Sequence, residues 1–214
     1  MDKLKGVIWD WDGTIVNERV GLVDGLGRAF RNILNTNIFE VGEKIAQIED
    51  NVREAMCRNF GEDPDKYLIP GARVLIESIG EAGIAQSIGT NNLAKYVSRM
   101  VVSAGFDRYI NTVVGCDSVP KGKRKPDPEI FYMCADGMGI LRSDLNSCVV
   151  IGNTVTDMVA AKEAGVNVRV ALDTGFYGFA QNLRDATNVY SELKDIDVEL
   201  LNGLVGLYQT KVYF

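Results

Sequence analysis

The sequence predicts an α/β fold: a doubly wound parallel sheet with a small all-helical segment inserted near its start. Three observations lead there. Short apolar runs recur at residues 7–9, 84–88, 110–114, 148–151 and 166–172, each closed by polar residues or glycine. Helical periodicity fills most of the intervals between them. One interval, from Val16 to about Leu68, carries helical periodicity and no convincing strand. Runs this short and mainly apolar suit strands buried on both faces, and alternation of strand with helix makes the sheet parallel.

Taken in order, Val7-Ile8-Trp9 forms the first strand and leads directly into Asp10-Trp11-Asp12-Gly13-Thr14. In the insertion, Val23, Leu26, Phe30 and Ile33 mark one amphipathic helix. Val41, Ile45, Ile48, Val52, Met56 and Phe60 mark a longer one, which Gly61-Glu62-Asp63-Pro64 ends. The strand–helix alternation resumes near Pro70-Gly71. The expected organisation is therefore a core of residues 1–15 and 69–214, interrupted by a helical domain of residues 16–68. After the second strand, Leu93, Val97, Val101 and Ala104 share a helix face. A further helix starts with Asp127 as N-cap, Pro128 at the first helical position and Glu129 in the first turn. Its apolar residues are Ile130, Phe131, Cys134, Ala135 and Met138. Beyond Leu193, the residues Leu200, Leu201, Leu204, Val205 and Leu207 predict a last helix packed on the core. Strand alternation turns Trp9 away from Asp10 and into the core, and Trp11 is expected near the entrance to a site.

Composition narrows the chemistry. The chain has 214 residues, 23 Lys plus Arg against 29 Asp plus Glu, and no histidine. That excludes Ser-His-Asp and Cys-His hydrolase sites and HExxH zinc sites. Proton transfer falls to Asp, Glu, Lys, Tyr or Cys, and the oxygen ligands available suit Mg²⁺, Ca²⁺ or Mn²⁺. The net charge of −6 argues against nucleic acid as a partner, because phosphate backbones are bound through an excess of Lys and Arg. Cys57, Cys116, Cys134 and Cys148 are widely spaced and read as reduced thiols, with Cys148 a small buried hydrophobe. No apolar run has the length of a membrane span or of a signal-peptide core, so the expected location is cytoplasmic.

The motifs sit at strand ends, where ligands bind in such folds. Asp10 and Asp12 place two carboxylates two residues apart. Their repulsion asks either for a cation or for a task that needs a carboxylate beside a carboxylic acid. Gly13 permits a tight turn directly after them. Thr90-Asn91 follows the second strand, Lys125-Pro126-Asp127-Pro128 precedes a helix, and Gly152-Asn153-Thr154-Val155-Thr156-Asp157 follows the fourth strand. Each taken singly is a common capping or loop sequence. Their joint order is harder to reach by chance.

On these motifs, together with Pro70-Gly71-Ala72, Ala164-Gly165 and Ala186-Thr187-Asn188-Val189, the sequence resembles the haloacid dehalogenase-like hydrolase superfamily. It is most similar to the phosphoglycolate phosphatase-like group with a small helical cap. The resemblance implies a Rossmann-like core and an Mg²⁺-dependent phosphatase acting on a small phosphorylated metabolite, as a monomer or homodimer, with no nucleic acid or membrane partner. It implies Asp10 as the nucleophile that becomes an aspartyl-phosphate. Asp12 becomes the acid that protonates the leaving alkoxide and then the base that activates water. Thr90, Asn91 and Lys125 become phosphate-binding residues. Asp10, the backbone carbonyl of Asp12, Asn153 and Asp157 become the metal-binding set.

The chain departs from the family pattern at Asn153, where the family usually carries a metal-binding Asp. An amide oxygen still coordinates Mg²⁺ but brings no formal charge. The departure implies weaker metal binding, or Asp157 acting as a ligand, or impaired catalysis. Two alternatives stay open at this stage: a phosphomutase with the same core residues, and a non-catalytic phosphate-binding or regulatory protein. The expected cap carries Arg19, Arg28, Arg31, Lys44, Arg53 and Arg58, read mainly as solvated charges. Its apolar stripes are read as packing surfaces.

Overall fold

The computed structural model describes residues 3–17, 41–173 and 185–210. The expected helix carrying Val23, Leu26, Phe30 and Ile33 lies outside the described residues, as do Arg19, Arg28 and Arg31. In the described residues one parallel sheet runs in the order β3-β2-β1-β4-β5-β6. Its strands are β1 (Gly6–Trp9), β2 (Ala85–Gly89), β3 (Thr112–Val114), β4 (Cys148–Gly152), β5 (Val168–Leu172) and β6 (Asn188–Tyr190). Five of these meet the apolar runs, with ends displaced by one or two residues. The sixth, β6, pairs Val189 with Ala171 at the sheet edge and has only three residues, none fully buried. With Val189 exposed between half-buried Asn188 and Tyr190, it leaves no apolar run to read.

Side-chain alternation sorts the strands into two packing faces. Val7 and Trp9 of β1 and Val149 and Ile151 of β4 face one hydrophobic cluster. Ile8 of β1 and Val150 of β4 face the other. The first cluster is covered by α2 (Ala72–Glu81), α3 (Ala94–Ser103) and α6 (Val198–Thr210) through Ile76, Ile79, Val97, Leu201 and Val205. The second is covered by α4 (Glu129–Gly137) and α5 (Val155–Glu163) through Ile130, Phe131, Cys134, Ala160 and Ala161. The result is a three-layer doubly wound fold, whose central strands β1 and β4 are too apolar to face water on either side. Of the last helix, Leu201, Leu204 and Val205 pack inward, whereas Leu207 is 60% exposed.

The start of α4 differs slightly from expectation. Pro128 occupies the N-cap position, and Asp127 one residue earlier accepts a hydrogen bond from Glu129 N at 3.1 Å. The carboxylate still satisfies a free N–H of the first turn.

Between β1 and α2 the described residues hold one long helix, α1 (Val41–Glu62). Where the chain leaves the sheet and where it returns, Val16 and Leu68 form an antiparallel bridge. Asn17 N donates to Tyr67 O and Ile69 N to Ile15 O, both at 2.8 Å. From Val52 onward α1 buries Val52, Ala55, Cys57, Asn59 and Phe60; of the predicted stripe Val52 and Phe60 are buried, whereas Met56 is half-buried. It lies along α3. Tyr96 Oη donates to Asp50 at 2.9 Å, and Arg99 Nη1 pairs with Glu54 at 2.7 Å. Phe60 packs on Trp11 and Tyr67, with ring centroids 6.1 and 6.0 Å away. Trp11 is thus fully buried under α1 and does not line a site entrance. Burying its rings against Phe60 outweighs leaving its indole N–H without a hydrogen-bond partner. Trp9 is core as expected, with its indole N–H donating to Gln86 Oε1 at 3.0 Å.

Candidate active site

β1 lies at the switch point of the sheet, with β2 on one side and β4 on the other. The crevice outside its carboxyl end is where this architecture binds ligands. Asp10 is the first residue beyond β1, and its backbone N donates to Ile151 O at 2.8 Å. The chain then turns sharply. Gly13 takes φ +79°, Gly13 N bonds Val16 O at 2.8 Å, and Val16 N bonds Trp11 O at 3.0 Å. A side chain at Gly13 would be strained there, and its Cβ would also fall 2.0 Å from the amide of Asn153. The neighbouring strands deliver the other residues. Thr90 follows β2 and its N bonds Val114 O at 2.9 Å. Asn153 follows β4. Lys125 comes from the segment between β3 and α4, and the Lys125–Pro126 peptide is cis.

Lys125 is the electrostatic centre. Its ammonium donates to Asp10 Oδ1 at 2.7 Å, Asp157 Oδ1 at 2.6 Å and Gly89 O at 2.8 Å. All three of its protons are used. Burial alone would lower the Lys125 pKa, but the Coulombic pull of Asp10 and Asp157 and their hydrogen bonds outweigh it. The group is held above the ordinary lysine value, charged at all working pH. Burial, with the negative charges of Asp157 and Asp12, pushes the Asp10 carboxyl up to about 7 against the opposing pull of Lys125. Two carboxylates pair with this one ammonium, and Asp12 adds a third negative charge beside Asp10, so the site as it stands favours additional positive charge.

Asp157 commits both of its oxygens. Oδ1 accepts from Lys125, and Oδ2 accepts from Thr154 N at 2.9 Å and Thr154 Oγ1 at 2.6 Å in a capping box that starts α5. Gly152 leaves the space for it, since a Cβ there would sit 2.7 Å from the Asp157 side chain. These bonds make Asp157 the partner that holds Lys125 in place.

Asp12 is half-buried and accepts at Oδ2 from Thr90 Oγ1 at 3.4 Å and Asn92 Nδ2 at 3.3 Å. Asn92 Oδ1 in turn accepts from Leu93 N at 2.8 Å, which fixes the orientation of that amide. Asn91 faces elsewhere. It is exposed, and its Nδ2 donates to Lys125 O at 3.1 Å, tying the two loops together. Sequence reasoning named Asn91 and passed over Asn92 and Thr14. Thr14 is buried, with Oγ1 3.3 Å from Asp10 Oδ2. Its position inside the Asp10–Thr14 motif was the available signal. A run of two asparagines gives no sign of which one turns inward.

Beside Asp10, the Asn153 side chain lies against two further oxygens. With its Nδ2 turned inward, the amide donates to Asp12 O at 3.2 Å and to Asp10 Oδ2 at 3.1 Å. With Oδ1 turned inward, Thr14 Oγ1 reaches it at 3.4 Å, and three oxygens face one another. A carboxylate, a backbone carbonyl and an amide oxygen converging in this way form a donor set suited to a hard divalent cation such as Mg²⁺. Among the described residues no group of three His, Cys, Asp or Glu side chains has metal-binding geometry. A cation here would depend on the carbonyl and the amide.

Residues 7–171 match the family model described as haloacid dehalogenase-like hydrolase, which covers more than half of the chain. The chain belongs to the haloacid dehalogenase-like hydrolase family. Within this family it is 27% identical over 194 residues to a phosphoglycolate phosphatase of Rhodospirillum rubrum, an alignment covering 78% of each chain. It is 26% identical over 148 residues to the phosphoglycolate phosphatase of Escherichia coli, covering 68% of this chain and 56% of that protein. The chain thus spans little more than half the length of some of its curated relatives. The β-phosphoglucomutase of Clostridium difficile superimposes with a TM-score of 0.75 at 14% identity, covering 97% of this chain and 99% of that one. CbbY from Rhodobacter sphaeroides in complex with phosphate superimposes with a TM-score of 0.71 at 17% identity, covering 89% and 95%. The likeness to these two structures is one of fold. No helix in the described residues is long and apolar enough to cross a membrane.

Proposed function

We propose that this family member is a phosphatase that hydrolyses the phosphomonoester of a small metabolite through an aspartyl-phosphate on Asp10. The observation that carries the reading is the pairing of two differently held carboxylates. Asp10 is buried and pinned by Lys125 at 2.7 Å, while Asp12, two residues on, is half-buried and held by Thr90 and Asn92.

In the first step an Asp10 oxygen attacks phosphorus, the ester P–O bond breaks, and Asp12 gives its proton to the departing alkoxide. In the second step Asp12 takes a proton from water, the hydroxide attacks phosphorus, and the Asp10–phosphorus bond breaks to release inorganic phosphate. Splitting the hydrolysis in this way lowers each barrier. Lys125 meets the phosphoryl charge as a buried cation, its three protons being held by Asp10, Asp157 and Gly89 O, and Thr90 Oγ1 would exchange its bond to Asp12 for one to a phosphoryl oxygen. Asp157 keeps Lys125 in position. Asp10, the Asp12 carbonyl and Asn153 are the residues that would hold Mg²⁺, which when bound supplies positive charge to the phosphoryl group. The helical segment carrying α1 supports the reading of a cap that shelters the site from water.

The test is turnover of p-nitrophenyl phosphate with Mg²⁺. Turnover that is lost in Asp10→Asn, and lowered about 10²–10⁴-fold in Asp12→Asn, is the expected outcome. Acid-stable labelling of a residue other than Asp10 would count against the mechanism. Asn153 favours a second reading, a phosphate-binding protein without turnover. That reading predicts phosphate binding with no product under any divalent metal. Product analysis on a hexose phosphate separates hydrolysis from transfer to a second hydroxyl.

A further inference from the structure

Asn153 has two physically distinct ways to satisfy its surroundings, and the difference between them lies in a rotation of its amide. In one, both N–H groups of Nδ2 are used, on Asp12 O at 3.2 Å and Asp10 Oδ2 at 3.1 Å. In the other, Oδ1 faces these same two oxygens and requires a cation among them. An aspartate has only the second option. It would also add a further negative charge beside Asp10, which already pairs with the one ammonium it shares with Asp157. Asn153 is 4% exposed, so water does not offer an easy substitute for these bonds.

We infer that Asn153 acts as an internal stand-in for the cation: its Nδ2 bridges Asp10 and the Asp12 carbonyl in the metal-free protein, and the amide turns Oδ1 inward when Mg²⁺ binds. The inference rests on the metal-binding set of the proposed phosphatase. The metal-free site is then complete, with each oxygen around Asp10 facing a donor, so the fold does not depend on the cation. Metal entry must first break two buried hydrogen bonds, so its affinity is lowered.

The experiment uses the full chain, with Mg²⁺ alone as the probe. In EDTA, the side-chain NH₂ signals of Asn153, assigned by their absence in Asn153→Asp, exchange with solvent about tenfold or more slowly than those of exposed Asn146. Saturating Mg²⁺ abolishes that protection. Asn153→Asp binds Mg²⁺ about tenfold or more tightly by calorimetry, since ligand charge sets such affinities. Its melting temperature drops in EDTA by several degrees more than that of the wild type. Exchange of Asn153 as fast as Asn146 in EDTA overturns the inference, as does an EDTA-induced drop in the wild type equal to that of the variant. If Asn153→Asp does not fold in EDTA, Asn153→Ser and the wild-type exchange rates decide. None of these readouts requires turnover. An inactive wild type with a protected Asn153 amide would overturn the phosphatase reading and leave the amide bridge standing.

Discussion

At the residue scale, the side chain on which the site depends is Lys125. It lies in the interior with two carboxylates, and the three side chains are 2%, 6% and 0% exposed for Lys125, Asp10 and Asp157. Removing one member of such a buried set leaves the others uncompensated. Lys125→Ala is therefore expected to cost about 3–5 kcal/mol of stability, far more than an exposed lysine. Urea unfolding measures this, and a loss below about 1 kcal/mol would mean that water replaces the ammonium. At this scale the sequence was legible unevenly. Asp10, Asp12, Thr90 and Lys125 were placed by their strand ends and by resemblance, and they meet in space. The pairing of Lys125 with Asp157 was not legible, because it joins residues 32 apart through an interior ion pair. Nor was the inward turn of Asn92, which depends on the local backbone at Leu93.

At the element scale, α1 is joined to the rest of the molecule by two kinds of contact of unequal weight. Arg99 and Glu54 form an ion pair, but their side chains are 53% and 46% exposed. Solvent screening leaves such a pair worth about 0.2–1 kcal/mol. Phe60, fully buried between Trp11 and Tyr67, is another matter. Phe60→Ala is expected to cost about 3–5 kcal/mol, and Arg99→Ala less than about 1 kcal/mol. Denaturant titration of the two variants checks the order. Tryptophan emission adds a local readout, since Phe60→Ala exposes Trp11 and shifts its emission to the red, whereas Arg99→Ala does not. The apolar period from Val52 to Phe60 revealed the helix in the sequence. It did not reveal the partner, because a stripe of apolar residues specifies a buried face without saying what buries it. Trp11 was misplaced for that reason.

At the scale of the whole molecule, the buried thiols sample different layers: Cys57 in α1, Cys134 in α4 and Cys148 in β4. Burial pushes the Cys57 thiol up to about 11, and those of Cys134 and Cys148 up to about 12, from 9.0. Well below pH 9 these thiols are neutral in both folded and unfolded chains and do not affect stability. Above it the unfolded chain ionises first and binds fewer protons, so stability falls as pH rises past 9. Iodoacetamide at pH 8 is expected to modify half-buried Cys116 alone in the native protein. In sub-denaturing urea Cys57 should react before Cys134 and Cys148, because its helix lies outside the sheet layers. Peptide mass spectrometry tracks all four. Simultaneous labelling of the three buried thiols would instead indicate that the molecule opens as one cooperative unit. The sheet was the most legible part of the fold, since five of its six strands coincide with short, mainly apolar runs. Strand β6 and its place at the edge needed three dimensions.

The bridge between Val16 and Leu68 has a consequence for the history of such a chain. The path leaves the sheet and returns at a single point, closed by main-chain bonds at 2.8 Å on either side. Once the ends are fixed this way, doubling the intervening length adds only about 0.6 kcal/mol of closure entropy. Segments of different size and surface can then be exchanged through this point over generations, with the register of β1 against its neighbours undisturbed. A gene can in this way try new coverings for an old set of carboxylates without first having to refold them.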